Sequence, residues 1–157
     1  MDKIFYKTEN FVAVVAEEPH VSREEGGHIK IRHKDLLYDS RTDLTPELAK
    51  EVYRLSMLVG EAMKIGLRNR GIDLVRINYQ ENGNWAYKKD KLPIFQIHLY
   101  GRARNSKMQK WPESLYFPDW NTGFYSNNEP LNDEDIAEIK SQIETLEKTE
   151  KFNINNW

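Results

Sequence analysis

Cysteine is absent from the 157 residues, and that absence removes several kinds of chemistry together. A disulfide framework, a zinc-thiolate site, a thiol nucleophile and an iron–sulfur cluster are all excluded. An excess of one charge is also missing. Lys and Arg number 23 against 25 Asp and Glu, a formal net charge of −2, so nucleic acid is not held here by bulk cationic charge alone. No apolar run reaches the roughly 18 residues that a membrane-spanning helix needs. The opening MDKIFYKTEN is too polar for a signal peptide. A soluble, cytoplasmic protein with no membrane partner is therefore expected. The length fits a single domain over residues 1–157, large enough to hold a core without staples.

What is present divides into strand-like and helix-like patterns. Ile4 to Tyr6 and Phe11 to Ala16 are short β-prone runs. Glu17 to Gly27 holds Pro19, two glycines and four acids and reads as a loop. His28 to His33 then alternates strictly, with Ile29 and Ile31 on one face and His28, Lys30 and Arg32 on the other. Thr45 and Pro46 give an N-cap and a first helical residue. Leu48, Val52, Leu55, Val59, Ala62 and Met63 follow as one apolar stripe, ended by Gly66 or Gly71.

Ile72 to Tyr79 and Ile94 to Tyr100 predict two further strands, joined through a long exposed tip at residues 80–93 that carries Asn82-Gly83-Asn84 and a lysine cluster. Gly101 to Asp119 lacks periodicity and should be irregular. Asn132 starts a C-terminal helix striped by Ile136, Ile139, Ile143 and Leu146; eight acids and two lysines between Glu129 and Glu150 make it strongly acidic. The order predicts an α+β fold: an antiparallel sheet of about five strands, one long helix packed on it, and a C-terminal helix. The core should span about residues 10–110, with the irregular segment and helix over 111–157.

The strand carrying the most chemistry is Pro93 to Arg102. Phe95, Ile97 and Leu99 share one face; Ile94, Gln96, His98 and Tyr100 share the other. Residues two apart lie ~6.6–6.8 Å apart, near enough for Gln96 and His98 to touch one phosphate. Taken alone, the same pattern also suits a structural histidine.

The run IFQIHLYGR resembles the signature of the histidine triad superfamily, in which histidine alternates with apolar residues. Ile94 falls on the first histidine, Gln96 on the second and His98 on the third, so the triad is degenerate. Gly27-His28-Ile29-Lys30-Ile31 resembles the family's Gly-His strand, with Arg32 where a proline usually follows. The runs NYQENGNWA, YGRA, LYFPDWNTGFY and PLNDEDI are similar to a microbial branch labelled diadenosine tetraphosphate hydrolase-like.

The resemblance covers about residues 10–140 and implies the family's fold and chemistry. In that family the middle histidine attacks the α-phosphorus of a nucleotide, while the flanking histidines hold the phosphate oxygens. Carried over, His98 and His28 are the catalytic candidates. Gln96, Asn78, Trp85 and Arg102 are the candidates for holding nucleotide or phosphate. Gln96 can donate hydrogen bonds, but its delocalised amide nitrogen cannot act as a covalent nucleophile. The resemblance therefore implies a protein that binds a purine nucleotide or dinucleoside polyphosphate and is catalytically impaired. It also implies a possible homodimer and no cofactor.

Two other functions compete. His98 could serve as nucleophile or activate water in an active nucleotide hydrolase or transferase. Alternatively, Arg102, Arg104, Lys107 and Lys110 beside Trp111 form an interaction surface for RNA or protein. Against the RNA reading, the same basic segment could pair with the acidic C-terminal helix. Lys30 and Arg32 either add charge at the site or form a solvated edge. Trp85 either shapes the pocket or packs. His20 and His33 have no evident partner, and with His28 and His33 on opposite strand faces no metal site is expected.

Overall fold

The computed structural model describes residues 3–157. Five strands, β1 (Lys3–Lys7), β2 (Phe11–Val15), β3 (His28–His33), β4 (Leu74–Gln80) and β5 (Gln96–Ala103), form one antiparallel sheet in the order β1-β2-β3-β5-β4. The alternation read from β3 and β5 sets the two faces. Phe11, Ala13, Val15, Ile29, Ile31, Ile97 and Leu99 are buried in the hydrophobic core on one face. The long helix α1 (Pro46–Asn69) packs against that face on β2, β4 and β5, and α2 (Asp133–Leu146) runs along α1. Each apolar stripe is thereby removed from water, the main force holding the layers together.

Helix α1 begins where its signals place it. Thr45 Oγ1 accepts from the Leu48 amide (3.3 Å), and Pro46 fills the first helical position. It ends before Gly71, which adopts φ +85°. Gly66 lies within the helix, where a Cβ would stand 3.2 Å from Ile139 of α2; its role is close helix approach. Two strand boundaries move from expectation. β5 starts at Gln96 and continues through Arg102 and Ala103, and β4 runs from Leu74 to Gln80. The connection between them is not a plain hairpin tip but carries a 3-10 turn, Gly83–Lys89.

The acidic helix does not face the basic segment. Its buried Asp135 accepts from Arg23 through Nε (2.6 Å) and Nη2 (2.9 Å), from Arg70 Nε (3.3 Å) and from the Asn132 amide (3.1 Å). Asp133 pairs with Lys3, and Glu134 with Arg70. Meanwhile Arg104 lies beside Asp73 at 3.7 Å, and the Lys107 and Met108 amides bond Glu25. Sequence cannot separate these pairings, because both satisfy the same charge count.

Asp135 also yields a prediction. Burial raises its pKa, but the hydrogen bonds from Arg23 and Asn132 and the pairing with Arg70 outweigh that and hold it below the usual carboxylate range. A depressed folded pKa contributes stability above the unfolded value near 4, and that contribution disappears as pH falls through the folded one. Asp135→Asn should cost about 2 kcal/mol or more at pH 7, discounted because Arg23 keeps some solvent contact. Urea midpoints measured from pH 7 to pH 2.5 should converge for the two proteins at the acid end. Parallel curves would contradict this.

Candidate functional site

The second face of the sheet carries the site. Across β3 and β5, His28 stands opposite Tyr100, Lys30 opposite His98, and Arg32 opposite Gln96. These three rungs follow from the shared alternation of the two strands. The two catalytic candidates meet there: His28 Nε2 lies 2.9 Å from His98 Nδ1, and both rings are buried. A cavity of about 630 Å³ opens over them, bordered by Ile94, Gln96, His98, His28, Lys30 and Trp85 among others.

The histidine that sequence left without a partner is central. His20, from the loop between β2 and β3, packs its ring 5.3 Å from His28 and within about 5.5 Å of Trp85, Phe117, Trp120 and Tyr125. Burial pushes its pKa down to about 4, with Lys30 and Lys89 adding repulsion. No periodicity marks a loop residue, so only the density of aromatics in LYFPDWNTGFY hinted at such a wall.

Hydrogen-bond accounting sets the protons. The His20 amide donates to His28 Nδ1 (3.4 Å), so that nitrogen is an acceptor. Burial, helped by His98, His20 and Lys30, keeps the His28 pKa well below its ordinary value, and its single proton sits on Nε2. It therefore donates to His98 Nδ1, which leaves His98 protonated at Nε2. The basic nitrogen of His98 is thus engaged by His28.

The irregular segment after β5 covers this face and is held by two anchors, the half-buried Glu25 and the buried Gln109. Glu25 accepts the amides of Lys107 (2.7 Å), Met108 (2.7 Å) and Gln109 (3.0 Å). Gln109 bonds Tyr116 on both its amide (2.9 Å) and its carbonyl (2.8 Å), and donates to the His20 carbonyl (3.4 Å). One side chain thereby joins the histidine loop to the aromatic wall.

Two expected binding residues stand elsewhere. Arg102 shares the face of Gln96 and His98 but is six residues from Gln96, about 20 Å along the strand. Its guanidinium donates to the carbonyls of Lys110 (3.2 Å) and Glu113 (2.7 Å) and lies over Trp111. This buried, structural arrangement removes Arg102 from the cavity wall and from any exposed RNA groove. Asn78 lies opposite Tyr100 but does not border the cavity. Asn82 does, and it donates to the Tyr100 hydroxyl (3.3 Å). Arg32 reaches back to the His33 carbonyl (3.3 Å), while Lys30 borders the cavity. His33 projects from the opposite face of β3, against Phe11 and Tyr38. Among the described residues no cluster of metal-ligating side chains forms, and no helix is long and apolar enough to cross a membrane.

No family model matches the sequence, and no curated protein matches it. Solved structures do. A hypothetical histidine triad nucleotide-binding protein from Sulfolobus tokodaii superposes with a TM-score of 0.62 at 13% identity, over 98% of this chain and 91% of that one. A zinc-bound histidine triad family protein from Mycobacterium smegmatis gives 0.60 at 18% identity, covering 92% and 85%. A histidine triad protein from Marinobacter aquaeolei gives 0.61 at 12% identity, covering 92% and 88%. At these identities the likeness is one of architecture, and the chain has the fold of the histidine triad proteins.

Proposed function

We propose that this chain is a histidine triad superfamily member that binds a purine nucleotide or dinucleoside polyphosphate and turns it over poorly. The observation that carries the reading is the common cavity of Ile94, Gln96 and His98, with Lys30 beside them and His28 behind. Ile94, just before β5, and Gln96 and His98 within it align with the superfamily's alternating triad, and a Sulfolobus protein of the same fold is described as nucleotide-binding. The sequence likeness to the diadenosine tetraphosphate hydrolase-like branch favours a ligand with a polyphosphate chain.

The available groups suit holding phosphate better than attacking it. Gln96 carries an amide N–H, His98 a ring N–H and Lys30 an ammonium, group types suited to phosphate oxygens. Ile94 supplies no polar atom. Gln96 cannot form the nucleotidyl intermediate, and the ring lone pair that His98 would need for attack accepts a hydrogen bond from His28. A hydrolase routed through His98 is therefore disfavoured, as is RNA binding through Arg102.

Thermal denaturation tests the reading directly. At about 100 times its dissociation constant a nucleotide stabilises by about 2.7 kcal/mol, which should raise the midpoint by about 5–10 °C at this size. ATP or diadenosine tetraphosphate should produce that rise, and inorganic phosphate should not. An unmoved midpoint with every nucleotide would reject the proposal.

A further inference from the structure

Two tryptophans border the cavity from segments outside the sheet. Trp85 belongs to the 3-10 turn Gly83–Lys89, and Trp120 opens a second turn, Trp120–Thr122. Both indoles pack against the ring of His20, Trp85 at 5.2 Å and 61°, Trp120 at 5.1 Å and 44°. Phe117 closes on Trp85 (5.2 Å) and Tyr125 on Trp120 (4.4 Å). The two turns are tied by Lys88 Nζ to Asp119 Oδ1 at 2.7 Å, an ion pair between two side chains that are mostly exposed.

A packing role alone does not account for this arrangement. Trp120 remains 42% exposed although His20 and Tyr125 occupy part of its surface, so much of a large apolar side chain is left in water at the mouth of a cavity. The exposed part of an indole in such a position suits a flat heteroaromatic ring, which packs on it whatever its sequence of ring atoms. The cavity wall also holds Lys30, Lys89 and Lys91, the charges an attached phosphate chain would meet. An exposed ion pair is weak, so the tie between the turns can yield when a ring enters.

Resting on the nucleotide reading above, we propose that Trp85 and Trp120 form an aromatic clasp that binds the ligand's nucleobase, with Lys88 and Asp119 joining its two sides. Trp120, from the segment after β5, is then a specificity-determining residue for ligands bearing a ring over bare polyphosphates.

Isothermal titration of the full chain with ATP and with tripolyphosphate, which lacks a base, separates the possibilities. Trp120→Ala should weaken ATP about tenfold or more and leave tripolyphosphate unchanged, while Trp120→Phe should keep most of the ATP affinity. Trp120→Leu retains apolar bulk without a π face. It should behave as alanine does, and it replaces alanine if that variant does not fold. If wild type binds ATP and Trp120→Leu binds it equally well, the clasp is wrong and the nucleotide reading stands. Equal weakening of ATP and tripolyphosphate would also overturn the clasp. If wild type binds neither nucleotides nor tripolyphosphate, both proposals fall together.

Discussion

Replacing Gln96 with histidine should raise the turnover of diadenosine tetraphosphate by about 100-fold or more. In enzymes working through a covalent intermediate, losing the nucleophile alone removes nearly all the catalysis that the whole constellation supplies. Restoring it should recover a large part of that loss. The setting is favourable: position 96 borders the cavity, stands opposite Arg32 and lies one alternation from His98. An imidazole placed there would have a free lone pair, whereas the wild-type amide nitrogen has none. Adding Ile94→His should raise the rate further by supplying another donor to the phosphate oxygens.

The comparison needs His98→Ala in the wild-type background. If wild type turns over nucleotide at a rate of several per second and His98→Ala abolishes it, the impaired-site reading fails. A mechanism through His98 would then replace it. Single-turnover trapping of a nucleotidyl-protein should succeed with Gln96→His and fail with wild type.

Gly101→Ala should be among the most damaging single-methyl additions in the chain. A Cβ at Gly101 would lie 2.0 Å from the carbonyl oxygen of Gly26 and 2.5 Å from its carbonyl carbon, both backbone atoms. The reverse holds at Gly26, whose Cβ would fall 2.4 Å from the Gly101 carbonyl carbon. The strand and the loop pass backbone to backbone here, joined by the Gly101 amide donating to Gly27 (3.0 Å). No side chain can rotate away, so the loop itself must shift. The expected cost is about 3 kcal/mol or more, a drop in midpoint of about 6–12 °C. That loop carries His20 and fixes His28, so nucleotide affinity should fall even well below the unfolding temperature. A variant within 0.5 kcal/mol of wild type in urea, with unchanged affinity, would show that the approach has slack.

Local periodicity made the layers legible. Ile29 and Ile31, and then Ile97 and Leu99, placed one face of two strands in the core and the histidines on the other. The Thr45-Pro46 pair announced α1. The likeness to the triad signature singled out His28 and His98, and the alternation of β3 and β5 sets both on the face away from the core. The remainder of the site depends on contacts that periodicity does not encode. His20 sits in a loop, and its partners come from positions 85, 117, 120 and 125. Gln109 joins two segments through backbone groups that any residues there would supply. Arg102 had the right face at the wrong distance, and a long side chain found carbonyls to bind. The acidic helix met Arg23 and Arg70 because the loop before β3 and the end of α1 converge there, a matter of topology.

Because burial holds His20 and His28 uncharged through the neutral range, neither imidazole contributes to the pull on an anion. That pull falls to four lysines, Lys30, Lys88, Lys89 and Lys91, set against the carboxylates of Glu17, Glu18 and Asp119 along the same wall. A shift from pH 8 to pH 6 would leave these two rings as they are. A change in ionic strength would not be neutral in the same way, because at 0.15 M the field of an exposed ammonium fades over about 8 Å. For an anion entering this cavity, the counter-ion atmosphere rather than the pH sets the attraction it meets.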